Sequence, residues 1–169
     1  MYDMDLTTSH AKPQSDMETR DITIGALLRE VAASRPEAEA LVEVKQNGAE
    51  GRRWTYAELM QNAEKLAMAL STRFAPSERV VVWSPNSPEW VLLEYASALS
   101  GLVLVTANPA FQARELAYVL KQSSAVALFL VEEFRGNPMG QIGTEVAASI
   151  PSVREVTDME SAALYTQGS

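Results

Sequence analysis

The chain has no cysteine and a single histidine among its 169 residues. The first absence excludes disulfides, thiolate nucleophiles and every metal site built on sulfur. The second leaves a Ser-His-Asp triad dependent on His10, which stands in a polar N-terminal stretch with no partner near it in sequence. His10 therefore reads as an inert, solvated side chain rather than a catalytic or metal-binding one. Basic charge is also scarce: 14 Lys and Arg against 22 Asp and Glu give a net charge of −8. A protein that tracks nucleic-acid phosphates needs the opposite balance, so no nucleic-acid partner is expected. Acidity of this size reads as a solvated surface.

Long apolar runs are missing as well. None approaches the roughly 20 residues needed to span a bilayer, so no transmembrane segment is expected. The opening MYDMDLTTSHAKPQSDMETRD lacks the basic and apolar regions of a secretory signal, and a cytoplasmic location is expected. No G-x-x-x-x-G-K-[ST] and no strand-following G-x-G-x-x-G occurs, and no lysine follows Lys121. Gly136, Gly140 and Gly143 are spaced for a loop and a helix start rather than a phosphate cradle. The pairs Glu132-Glu133 and Asp158-Glu160 are able to bind a hard cation, but read first as solvated exits from a sheet. Trp54, Trp83 and Trp90 read as packing residues, because no basic groove accompanies them as a stacking platform would require.

What is present is ordinary globular material, 47% hydrophobic and 21% charged. A chain of this length suits one domain, able to bury about 70% of its unfolded surface. Residues 1–21 read as a flexible polar tail. Thr23 is placed to cap a helix with Ile24, Leu27, Leu28, Val31 and Ala32 on one face, ended by Pro36. Residues 40–45 and 52–55 read as hairpin strands across a 46–51 turn. Thr55 and Glu58 form a capping box for a helix burying Leu59, Ala63, Leu66, Ala67 and Leu70.

The run 79–83 is of the β-branched type found in central parallel strands. Ser87-Pro88 is a helix start, Gly101 a left-handed C-terminal cap, and Val91, Tyr95 and Ala98 share the stripe between them. A second buried strand is expected over 102–106, then a helix over 113–122 and a strand over 125–131. A helix over 140–149 and a short strand over 153–157 follow. Strand–helix alternation predicts an α/β fold, a mostly parallel sheet with helical crossovers. Ligands in such sheets sit beyond the carboxyl ends of the strands, here the loops 84–87, 107–112 and 132–138.

The wording of these segments carries a resemblance. Trp54-Thr55-Tyr56-Ala57-Glu58-Leu59 resembles the (L/W/F)-T-Y-x-E-L segment near the start of adenylate-forming enzymes. Those include acyl-CoA synthetases, luciferases and peptide-synthetase adenylation domains. RVVVWSPNSPEWVLLE at 79–94 and GLVLVTANPAFQAREL at 101–116 are similar to that family's next two strand-to-helix units, and 120–131 fits the helix and strand that follow. The resemblance covers about residues 22–160. Within the family, the wording at 85–90 and 108–111 looks most like bacterial fatty-acyl-CoA synthetases.

The resemblance implies the first N-terminal subdomain of such an enzyme, with residues 161–169 as a truncated linker. The intact enzyme would use ATP and Mg2+ to adenylate a fatty acid, release pyrophosphate and pass the acyl group to coenzyme A. The family's lysine-bearing triphosphate loop comes later than the region present. Tyr165-Thr166-Gln167-Gly168-Ser169 echoes its opening but lacks its second glycine and lysine. The resemblance places Asn108, Pro109 and Arg114 on the coenzyme A side. Where some relatives carry an arginine directly after Asn-Pro this chain has Ala110, and Arg114 is the substitute one turn on; Asn108 and Pro109 also read as turn formers.

Two functional readings follow. One is an N-terminal fragment of an acyl-CoA synthetase, inactive alone and binding no cofactor, with the rest of the enzyme as partner. Its exposed apolar surface would favour self-association. The other is a free-standing α/β binding or interaction module without catalysis.

Overall fold

The computed structural model describes residues 19–45 and 47–165. His10, with the rest of 1–18, and 166–169 lie outside the described residues. Local rules set the first elements. Helix α1 (Ile24–Ser34) begins where the Ala26 N–H donates to Thr23 Oγ1 at 3.2 Å. Strands β1 (Glu39–Val44) and β2 (Glu50–Thr55) form an antiparallel hairpin. Its turn is tighter than expected. Gly48 takes φ +80° while the Lys45 N–H reaches the Ala49 carbonyl at 2.8 Å, so β2 starts at Glu50. Helix α2 (Tyr56–Ser71) opens on the predicted capping box, with Glu58 N–H to Thr55 Oγ1 at 3.2 Å and Thr55 N–H to the Glu58 carboxylate at 2.9 Å.

The remainder alternates: β3 (Arg79–Trp83), α3 (Pro88–Ser100), β4 (Val103–Ala107), α4 (Ala113–Ser123), β5 (Ala127–Leu130), α5 (Met139–Ala148), β6 (Glu155–Asp158) and a 3-10 turn (Ala162–Tyr165). The four later strands form one parallel sheet in the order β4-β3-β5-β6, as the α/β reading predicts. At α3 the Trp90 N–H donates to Ser87 Oγ at 3.1 Å, and Gly101 closes the helix at φ +72°.

The sheet divides the interior. Val80 and Val82 face one core, with Leu66 and Leu70 of α2, Leu93 of α3 and Phe129. Val81 and Trp83 face the other, with Leu116 and Leu120 of α4, Leu128 and Leu130. Alternation along one strand thus serves both layers.

Three expectations shift. On α3 the fully buried residues include Leu92, Leu93, Ala96 and Ser97, while Val91, Tyr95 and Ala98 are half-buried, because α1 and α2 both pack on this helix. On α1 only Gly25, Leu28 and Ala32 are buried; Ile24 and Leu27 stay 56% and 42% exposed. A Cβ on Gly25 would lie 2.9 Å from Leu99 Cδ2, so α1 meets α3 along one narrow edge. The strand expected to be buried after Gly101 is an edge strand, with Val103 45% exposed.

Candidate functional site

The crossover from β3 runs to one side of the sheet and the crossover from β5 to the other, so connections diverge between these two strands. Ligands in open α/β sheets bind in the crevice outside the carboxyl ends at such a point. The three loops singled out from sequence follow β3, β4 and β5 at this end.

Two side chains tie the loops together. The buried Trp83 indole donates from Nε1 to the Asn108 carbonyl at 3.0 Å, joining the end of β3 to the loop after β4. Asn137 Nδ2 donates to the Phe111 carbonyl at 3.4 Å, joining the loop after β5 to the same segment. The loop after β5 turns tightly at Phe134-Arg135-Gly136-Asn137. Arg135 and Gly136 sit at φ +51° and +78°, and Phe134 and Asn137 exchange backbone hydrogen bonds of 3.1 and 2.9 Å. The Arg135 guanidinium lies 5.0 Å from the Phe134 ring centre. Beyond it, the Glu132 carboxylate lies over Gly140 in the first turn of α5, where a Cβ would displace it. A negative charge is favoured at that helix end.

The predicted residues come together on one loop and its helix. Asn108 is consumed by shape: its Oδ1 accepts the Ala110 N–H at 2.9 Å and its carbonyl accepts the Phe111 N–H at 2.9 Å. Pro109 is half-buried within that turn. Arg114 is exposed in the first turn of α4, whose start is fixed by the Gln112 N–H donating to the Glu115 carboxylate at 3.1 Å. The three therefore form a rigid turn with one solvent-facing cation beside it.

Sequence reading missed a second polar cluster, formed across the chain. Arg52 on β2 donates from Nε to Glu43 at 3.0 Å and from a terminal nitrogen to Glu89 of α3 at 2.6 Å, with its guanidinium 5.2 Å from the Trp54 ring centre. The Arg52 side-chain bond and then the Arg52 backbone N–H lower the Glu43 carboxyl to about 2. Arg52 and Glu89, with Trp54, Met159 and Tyr165, line a recess of about 240 Å³. Burial pushes the Tyr165 phenol above its ordinary range. Arg73 anchors the same region, donating to Glu155 at 2.8 Å and to the Leu164 carbonyl at 2.9 Å. Apart from the Arg52–Glu43 bond across the hairpin, separations of 37 to 91 residues leave no local sequence signal for these contacts.

The crevice offers backbone, amide and guanidinium groups for binding but little for covalent chemistry. The Ser84 hydroxyl is spent on the Pro85 carbonyl at 2.8 Å, and Asp158 Oδ1 accepts the Glu160 N–H at 3.0 Å. Among the described residues no group of three or more His, Asp or Glu is placed to hold a metal ion. Among them, too, no helix is long and apolar enough to cross a membrane.

Comparison with known proteins converges. Residues 28–167 match the model of the AMP-binding enzyme family. The chain is 39% identical over 134 residues to the mitochondrial medium-chain acyl-CoA ligase ACSF2 of Macaca fascicularis, covering 76% of this chain and 21% of that protein. It is 36% identical to YngI of Bacillus subtilis, covering 79% of this chain and 23% of the relative. The chain thus spans about a fifth of the length of the curated relatives it matches. Among solved structures, apo MbtA of Mycobacterium smegmatis superposes with a TM-score of 0.73 at 29% identity, over 88% of this chain and 26% of that one. The N-terminal domain of FACL13 from Mycobacterium tuberculosis gives 0.72 at 26% identity, over 85% and 36%. Wording, strand order and these matches agree: the chain belongs to the AMP-binding enzyme family, the adenylate-forming enzymes.

Proposed function

We propose that this chain supplies the N-terminal α/β subdomain, residues 22–160, of an ATP-dependent acyl-CoA synthetase. The complete enzyme joins a fatty acid to coenzyme A, converting ATP to AMP and pyrophosphate. The observation that carries the reading is 39% identity to an acyl-CoA ligase of which the chain spans only 21%. Residues 161–169 are a linker to the rest of the enzyme, which is the subdomain's partner, and a cytoplasmic location goes with this reading.

ATP and magnesium do not fit the residues present. The three strand-end loops hold no lysine, and among the described residues no group of three or more carboxylates is placed to hold a cation. Their sites belong to sequence outside this chain, and the chain alone is inactive. Coenzyme A is a different case. Arg114, held at the start of α4 beside the rigid Asn108-Pro109 turn, presents a cation able to meet a coenzyme A phosphate. The test is ATP–pyrophosphate exchange and acyl-CoA formation with fatty acids. Activity in the complete source protein and none in the 18.5 kDa chain is expected. Turnover by the chain alone, or a source protein of 18.5 kDa that binds a ligand without turnover, would overturn it.

A further inference from the structure

Of the asparagines in the chain, Asn47 is the one followed by glycine. Asn108 and Asn137 precede prolines, which have no backbone N–H. Asn62 lies inside α2, where main-chain amides are bonded along the helix. Asn86 precedes Ser87, whose Cβ crowds its own nitrogen. No aspartate precedes a glycine. Asn47-Gly48 is therefore the place where an asparagine side chain is followed by an unhindered main-chain nitrogen.

The hairpin turn brings the pair together. Asn47 and Gly48 are both exposed between β1 and β2. Gly48, at φ +80°, has nothing within 4 Å of where a Cβ would stand. Asn47 Oδ1 accepts the Ala49 N–H at 3.0 Å, which folds the carboxamide back over the Gly48 peptide. The same N–H polarises the side-chain carbonyl and favours negative charge on its oxygen. One contact restrains the pair: the Gly48 N–H donates to the Lys45 carbonyl at 2.8 Å and must let go before its nitrogen can react. At an exposed turn such opening is frequent.

We infer that Asn47-Gly48 is a self-modifying site, at which Asn47 loses its side-chain amide to water and the hairpin loosens as a result. The Gly48 nitrogen, having given its proton to a base in solvent, attacks Asn47 Cγ and a C–N bond forms. The Cγ–Nδ2 bond breaks, and ammonia leaves with a proton from solvent. Water then opens the cyclic imide at either carbonyl, giving aspartate or isoaspartate. The balance is amide plus water to acid plus ammonia, with no oxidant or further reactant. In isoaspartate the main chain runs through the side-chain carbon and gains a methylene. The turn that brings the Lys45 N–H to the Ala49 carbonyl then no longer closes at its present length, and the strand register it fixes is weakened. Either product also adds negative charge to a chain already at −8.

The test ages the 18.5 kDa chain at about pH 6 and about pH 9 and maps its peptides by mass spectrometry. Isoaspartate is marked with an isoaspartyl methyltransferase. A gain of about one dalton is expected at Asn47 before any other asparagine, faster at the higher pH and absent in Asn47→Ser. The rate is expected to be about tenfold below that of a free peptide of residues 43–52, because the Gly48 N–H bond must open first. Amide hydrogen exchange in β1 and β2 is expected to be faster in the isoaspartate form, and to stay near wild type in Asn47→Asp, whose main chain is unaltered. An Asn47 amide that outlasts the peptide's by about 100-fold or more overturns the inference, as does a first conversion at Asn86. An isoaspartate form whose hairpin exchanges like the unmodified chain overturns it too.

Discussion

Trp83 and Asn108 are 25 residues apart in sequence and joined by a 3.0 Å hydrogen bond from the indole Nε1 to the backbone carbonyl. The ring is completely buried, while the accepting residue lies on the exposed loop. It fixes the loop after β4 to the end of β3. Trp83→Phe removes the donor and part of the ring. A loss of about 2 kcal/mol is expected, combining a missing hydrogen bond with underpacking. Urea unfolding of wild type and variant measures it, and an unchanged midpoint would show that the loop holds its place without the indole.

Arg114 separates a binding role from a folding role. It is exposed, so Arg114→Ala is expected to change stability by less than about 0.5 kcal/mol. Removing a cation from the first turn of a helix, the positive end of its dipole, is if anything favourable. In the complete synthetase the variant is expected to raise KM for coenzyme A several-fold at unchanged KM for ATP. Equal KM values for coenzyme A in the two proteins would remove Arg114 from the site.

Gly143 sits where α5 crosses β5. A Cβ there would run into Leu130 Cδ2 and stand 3.2 Å from Leu128 Cδ2, and both leucines are buried. Gly143→Ala gains about 1 kcal/mol of helix propensity but must push buried side chains aside. A net loss of about 1–2 kcal/mol is expected in thermal or urea unfolding. A gain would mean that the leucines rotate away freely.

Acid should loosen the hairpin first. Glu43 titrates at about 2 in the folded chain against an ordinary 4.5, because Arg52 bonds to its carboxylate. A carboxyl group lowered on folding stabilises above its ordinary value and loses that contribution as pH falls toward the folded one. Glu78, lowered mainly by its bond to Arg154, acts in the same direction. The melting temperature is therefore expected to be level from neutrality to about pH 5 and to fall below it. In Arg52→Gln the fall should be shallower, with exchange in β1 and β2 raised at neutral pH. Identical acid profiles would show that the pair contributes nothing.

Much of this architecture was legible because it is local. The Thr55–Glu58 box, the Ser87-Pro88 start and the Gly101 stop each follow from residues within a few positions of one another, and each appears as expected. The family was legible for another reason: the wording at 54–59, 79–94 and 101–116 is specific beyond its hydrophobic pattern. What failed to show was non-local. An apolar strand reads the same at the centre of a sheet and at its edge, so the exposure of Val103 was invisible. Ile24 and Leu27 have helical spacing but lie outside the narrow contact that Gly25 makes with Leu99. The Arg52–Glu89 and Arg73–Glu155 bonds join residues that only the completed fold brings together. At the candidate site, sequence located the loops, whereas the ties through Trp83 and Asn137 span 25 and 26 residues and arise only in the folded chain.

The parallel sheet also acts as a partition. Leu66 and Leu116 are fully buried, yet they belong to cores on opposite faces, and the rigid backbone of β3 stands between those faces. Damage to one layer should pass unnoticed by the other. The free-energy losses of Leu66→Ala and Leu116→Ala should sum in the double variant to within about 0.5 kcal/mol. Substitutions at Val81 and Val82 should not, because those neighbours share one stretch of main chain and a shift in either direction strains both layers. The protein therefore has two reserves of stability that mutation can draw down separately, and β3 is the place where they become one.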